Sequence, residues 1–410
     1  MNAAGSHPPS AATRLPAVAL LVTVAGTAAF GDAAAVITLM LRLYRADHPS
    51  WAITALLFCI LGPSVLLAPF AARILGRGGA ARTLVLTSAG QVAATAGLII
   101  VRGAAPTLAL VAVIGAGLAM TQPALLEITP RAVGPDRLVW ANSLIRAASW
   151  TGWTIGPVTG GALCAAGLAS AALLTEAASF ALAGVCFGLL GHMPAARARP
   201  SHSGQAAAGA RTAIGYIRQD RVLAGLIASV GVTNVCVSMT GVAEVFFARE
   251  ILRAGDTGFA FLSSAWFGGM VVGTLAAPRA SAWRSSWTLP AGAALAGAGI
   301  IAAATAGSIT AAVPAYGIAG IGFGLQATVV RSMIQRRADG PLRGPVCGIW
   351  VAVDMSTQLA GYLAGGAAML AGARATLAIA GAGVCVVGGV ALSRAGHIGY
   401  ILREVPLEQP

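Results

Sequence analysis

Arg131-Ala132-Val133-Gly134-Pro135-Asp136-Arg137 returns 206 residues later (337 − 131) as Arg337-Ala338-Asp339-Gly340-Pro341-Leu342-Arg343, with five of the seven positions identical. Each copy follows an apolar run, Pro106–Ile128 in one case and Ile309–Met333 in the other. Further along, Gly156, Gly160 and Gly161 recur as Gly361, Gly365 and Gly366, an offset of 205 (361 − 156). Two neighbouring matches at nearly equal spacing indicate one unit used twice. Such a repeat implies two similar bundles of apolar helices related by a pseudo-symmetry axis.

The rest of the chain fits that unit. Of its 410 residues, 57% are hydrophobic and only 10% charged, against roughly 25% charged in a soluble domain. A hydrocarbon core of about 30 Å takes about 20 apolar residues per helix, and backbone groups in lipid must be satisfied within the segment. Twelve runs meet that description: Leu15–Leu43, Trp51–Ala72, Arg82–Val101, Pro106–Ile128, Trp140–Ala166, Ala169–Leu190, Val222–Phe247, Phe259–Pro278, Ser286–Ala306, Ile309–Met333, Val346–Ala371 and Thr376–Leu392. The expected fold is an all-α membrane protein of twelve transmembrane helices in two six-helix bundles. Residues 1–192 form the first bundle, 193–221 a linker rich in Ala, Arg, Ser and Pro, and 222–410 the second. The end of the linker, Ala206–Gln219, reads as a short surface helix. The first run is too long for a signal-peptide core and is expected to be retained.

The net charge of +13 comes from arginine alone, because the sequence has no lysine. A pI near 10.8 suggests nucleic acid, but the arginines lie in short gaps between apolar runs, as orientation signals do. With the N-terminus inside, nineteen arginines fall on the cytoplasmic side and six outside, with Arg146 within a helix (19 + 6 + 1 = 26). The positive-inside rule then places both termini in the cytoplasm. The six cysteines lie far apart, without the spacing of a zinc site or a disulfide framework. No nucleophile–base pair, metal cluster or phosphate loop is present, so the sequence implies neither an enzyme nor a cofactor.

Certain residues carry a family likeness: Gly31-Asp32, the stretch from Pro123 through Glu127 to Pro130, Ala141-Asn142-Ser143-Leu144, Gly156-Pro157 with Gly160-Gly161, Ala178-Ser179-Phe180, Gly320–Gln326, and Arg343-Gly344 followed by Gly348. On these the chain resembles the major facilitator superfamily, in the branch of bacterial exporters that includes the enterobactin exporter and the macrolide efflux pumps. Gly152-Trp153-Thr154-Ile155-Gly156-Pro157-Val158-Thr159-Gly160-Gly161 is similar to the motif that marks antiporters in that superfamily. Glycines four apart give a flat face for close helix approach, and proline bends the helix by removing a donor. Two departures stand out. Ala71-Ala72-Arg73-Ile74-Leu75-Gly76-Arg77 keeps the arginines of the family's loop and lacks its acid, and the fourth helix lacks the in-membrane arginine of many drug–proton antiporters. Arg73, Arg77, Glu127, Arg137 and Arg343 are expected to brace helix ends or to meet lipid phosphate.

Ionisable groups inside a membrane normally face a cavity or a partner. The candidates for proton coupling or a cavity are Asp32, Glu244, Asp354, Arg146 and Glu176. The resemblance implies that helices one, four, seven and ten line the cavity, which puts Asp32 beside it and Glu244 near the same space. Asp354 and Arg146 sit at similar depths in equivalent helices, either paired across the halves as a gate or paired within each half. Aromatic residues that could line an apolar site are Phe30, Trp150, Trp153, Phe246, Phe247, Trp266, Phe267 and Trp350, some of them interfacial anchors. The expectation is a monomeric inner-membrane exporter of a small amphipathic compound, a drug or natural product, driven by proton antiport. A siderophore exporter is the second reading, and a non-transporting receptor or lipid scramblase the third.

Overall fold

The computed structural model describes residues 11–45, 50–78, 80–133, 138–192, 212–337 and 343–393. Long apolar stretches with few helix breakers become helices almost throughout. The first six are α1 (Ala11–Arg45), α2 (Ser50–Gly78), α3 (Ala80–Ile100), α4 (Ala104–Val133), α5 (Leu138–Ala165) and α6 (Ala169–His192). A short helix α7 occupies 212–219. Then come α8 (Arg221–Phe246) with a π-helical extension over Phe247–Ile251, α9 (Gly255–Thr305), α10 (Ile309–Arg337), α11 (Arg343–Ala368) with a 3-10 turn to Ala371, and α12 (Ala373–Ser393).

Ten stretches among the described residues are long and apolar enough to cross a bilayer, which makes this a multi-pass membrane protein. The expected spans Trp140–Ala166 and Val346–Ala371 are present as α5 and α11, helices of 28 and 26 residues that fall outside those ten. The expected spans Phe259–Pro278 and Ser286–Ala306 are matched by two of the ten, Gly255–Ala277 and Trp287–Thr305. Helical turns continue through the polar gap between them, so both belong to one element, α9. Its two arms still lie along α10 in opposite senses. A Cβ built on Gly269 would meet Gly317 and Ile321, and one on Gly273 would meet Ile321 and Leu325, so this arm is parallel to α10. One on Gly292 would meet Gly322 and Gln326, and one on Gly299 would meet Ala319, so the second arm is antiparallel. The chain therefore reverses direction between Gly273 and Gly292, so α9 is two spanning arms joined at a sharp bend.

At the end of the linker, Asp220 caps α8, its Oδ1 accepting from the amides of Val222 and Leu223 at 3.0 and 3.1 Å. This satisfies two of the four free donors at a helix start. Ala213 of α7 is fully buried in one cluster with Leu223, Leu226 and Val330, so α7 packs on the second half of the chain.

Candidate functional site

The glycine motif of α5 acts first on packing. A Cβ built on Gly152 would come within 2.6 Å of the Gly26 carbonyl oxygen, on Gly156 within 2.7 Å of that of Phe30, and on Gly160 within 2.5 Å of that of Ala34. These three glycines therefore press α5 directly onto α1. Gly161, one residue on, faces Ala260 of α9 in the other half. The repeat does the same: Gly361 meets Val235 and Gly365 meets Met239 on α8, while Gly366 faces Thr54 of α2 across the halves. Phe30 and Val235 differ by 205, as do Ala34 and Met239, so the repeated sequence makes a repeated contact. Pro157 lies inside α5, within this seam.

Asp32 sits on the stretch of α1 that this seam holds. Its neighbour Gly31 opens the way to α6, where an added Cβ would lie 2.6 Å from Ser179 Oγ and 3.0 Å from Glu176 Cα. Asp32 thereby comes into the electrostatic field of Glu176. Glu176 is buried, and Asp32 Oδ1 and Glu176 Oε2 are both sealed from solvent without a hydrogen-bond partner. Buried carboxylate oxygens are ordinarily paired, and those that are not call for an explanation.

Glu244 lies in the other half. It is buried on α8, and its Oε1 accepts from Ser263 Oγ of α9 at 2.7 Å. Beside it, Tyr316 of α10 is almost fully buried and packs edge-on against Trp266, ring centroids 6.1 Å apart. Among the described contacts Asp32 is brought to Glu176, and Glu244 to Ser263.

Asp354 accepts from Asn234 Nδ2 at 2.5 Å, a bond between α11 and α8 within the second half. It also lies in the field of Arg331 on α10 and of Arg146 on α5, the latter across the halves. The Arg331 guanidinium stands 5.5 Å above the Trp350 ring. Arg146 is exposed. The side chains of Arg73, Arg77, Glu127 and Arg343, and Arg137 entirely, lie outside the described residues.

The two halves meet most firmly at the opposite end of the bundle, in a cluster that reading the sequence did not single out. Buried Asp256, in the first turn of α9, is ion-paired to both Arg45 of α1 and Arg249 of the π-helical turn. Arg45 also donates to the Cys164 carbonyl at 3.1 Å. The Tyr44 ring lies under Arg249 at 4.7 Å and edge-on to Phe246 at 5.5 Å. At mid-depth, Trp153 and Trp150 of α5 both pack on Phe267 of α9, at 5.1 and 6.5 Å. An acid opening a helix just after a basic pair was a visible signal, but the partner arginine 211 positions away was not.

No curated protein matches the chain in sequence. Solved structures do match it in shape. The nucleoside transporter NupG, in a mutant form, superposes with a TM-score of 0.76 at 11% identity, covering 92% of this chain and 99% of its own. A bacterial homologue of the iron transporter ferroportin, in an inward-facing state, gives 0.72 at 15% identity, covering 94% and 100%. A POT family transporter in complex with a thioalcohol-conjugated peptide gives 0.72 at 14% identity, covering 93% and 96%. At such identities the likeness shows the fold alone, a transporter fold. The family model of the Major Facilitator Superfamily matches residues 18–361, most of the sequence, and the chain belongs to that superfamily.

Proposed function

We propose that this protein exports a small amphipathic compound, a drug or natural product, by alternating access coupled to proton influx. In this reading twelve helices cross the inner membrane with both termini in the cytoplasm, and the Arg45–Asp256 end faces outward and is closed. The observation that carries the reading is the pair of carboxylates, half-buried Asp32 and buried Glu176, each with one unpartnered oxygen sealed from solvent. Two acids close together in a low-dielectric interior repel when both are charged, and taking up a proton relieves that repulsion. Gain or loss of that proton changes the charge between α1 and α6 beside the glycine seam, and coupling requires only that the two cavity states differ in their affinity for it. The aromatic wall of Trp150, Trp153 and Phe267 offers an apolar surface between the halves.

The test is efflux from everted vesicles. Asp32→Asn and Glu176→Gln should each abolish substrate-stimulated proton movement while substrate still binds. If Asp32→Asn leaves that proton movement intact, the coupling assignment is wrong. Accumulation that ignores the proton gradient altogether would overturn the antiport reading.

A further inference from the structure

A cavity lies away from the interface between the halves. It is an open groove of about 560 Å³ between α2, α3 and α4, lined by residues that include Arg82, Leu86, Gly90, Gln91, Val113 and Met120. Leu86 and Val113 are exposed along it, and Arg82 is exposed at its mouth. Arg82 is in the first turn of α3, at the end of the bundle opposite the Arg45–Asp256 cluster. The floor is Gln91, whose Nε2 is already committed to the Ile114 carbonyl at 3.2 Å, and the Thr87 hydroxyl is committed to its own helix at Leu84. Among the described residues the groove is thus an apolar trough with one cation, Arg82, toward the start of α3.

Its dimensions match one leaflet. From Arg82 to Gln91 is nine residues, about 14 Å at 1.5 Å per residue, and half of a hydrocarbon core of about 30 Å is about 15 Å. A basic residue at the mouth of a pocket between membrane helices suits an anionic headgroup. The groove also belongs to one half of the molecule only. At the 205-residue offset, Gly117 and Gln91 correspond to Gly322 and Ala296. A Cβ on Gly117 would meet the Gln91 side chain at 2.7 Å, whereas on Gly322 it would meet the Ala296 backbone nitrogen at 2.4 Å. The glutamine side chain holds α3 off α4, while alanine lets the second arm of α9 close onto α10. Gly90, next to open space, corresponds to Leu295, and Arg82 to Trp287.

We propose that this groove is a lipid site, which takes one acyl chain of an anionic phospholipid from the adjoining leaflet and holds its phosphate on Arg82. The inference is independent of what the protein transports. The experiment is native mass spectrometry of the full chain, purified in a neutral detergent and offered phosphatidylglycerol or phosphatidylcholine. The unaltered protein should retain one phosphatidylglycerol at least about five-fold more readily than phosphatidylcholine. Arg82→Gln should erase that preference, and Gly90→Leu, which fills the trough with the side chain its counterpart carries, should lower retention of both lipids. Val113→Phe serves the same purpose should Gly90→Leu fail to give monodisperse protein. Equal retention of the two lipids by the unaltered protein overturns the anionic assignment, and unchanged retention after the trough is filled overturns the site.

Discussion

The α1–α5 seam and the α8–α11 seam are one contact made twice, while the α3–α4 and α9–α10 contacts are made differently. In the seams, glycines at matching positions meet backbone at matching positions: Gly156 on Phe30 and Gly361 on Val235, Gly160 on Ala34 and Gly365 on Met239. In the outer contacts the helices that correspond are held apart by Gln91 in one half and touch at Ala296 in the other. The charges follow the same division. At the 205-residue offset, Asp32 and Glu176 correspond to Val237 and Gly381, and Arg146 to Val351. The repeated sequence keeps its helix-packing contacts and differs at the carboxylates and at the groove.

This comparison can be broken most forcefully at the seams. Gly160→Val and Gly365→Val both drive a side chain into backbone and should each cost about 3 kcal/mol, read as a fall in the thermal unfolding midpoint in detergent. A large loss at one seam and none at the other would show that the two contacts are not equivalent. Asp256→Asn comes next. It leaves half-buried Arg249 and Arg45, whose side chain is 45% exposed, without their shared partner. Because one arginine reaches solvent, the expected cost is about 1–2 kcal/mol, below that of breaking a fully buried pair. It should appear as roughly ten-fold faster thiol labelling of a cysteine placed at Thr54, since about 1.4 kcal/mol is a factor of ten. Unchanged labelling would separate the cluster from closure of that end.

Smaller effects sharpen the outer contrast. Gly322→Ala should destabilise by about 2 kcal/mol, because the atom it meets is backbone and both helices must move. Gly117→Ala meets a side chain that can swing aside and should cost about 1 kcal/mol, most of it the lost Gln91 bond to Ile114. Gln91→Ala should cost about 1 kcal/mol. Equal losses for Gly117→Ala and Gly322→Ala would mean that Gln91 is not what keeps α3 and α4 apart.

Much of this was legible in the sequence because it depends on local pattern. Apolar length gave helices such as Ala169–Leu190, observed as Ala169–His192, and the glycine periodicity of α5 announced a close helix contact before its partner was known. Pairing over long separations was not legible. The sequence suggests that Asp32 and Glu244 approach one cavity; the close approach of α1 and α6 at Gly31 also brings Asp32 to Glu176, 144 residues away (176 − 32). Nothing local in either residue encodes that meeting. The two spans of α9 were legible from the polar gap between them, whereas the helical turns that continue through that gap were not. Gln91 looked like an ordinary polar residue in an apolar run, and its role as a spacer exists only against Gly117.

Gly161 on Ala260 and Gly366 on Thr54 are two points of near-contact between the halves, additional to the Arg45–Asp256 ion pair and the packing of Trp150 and Trp153 on Phe267, and two points define a line. With those other contacts released and both points held, a rigid half would retain a single rotational degree of freedom, about that line. A crosslink at one point alone would leave a swivel, and crosslinks at both would leave a hinge.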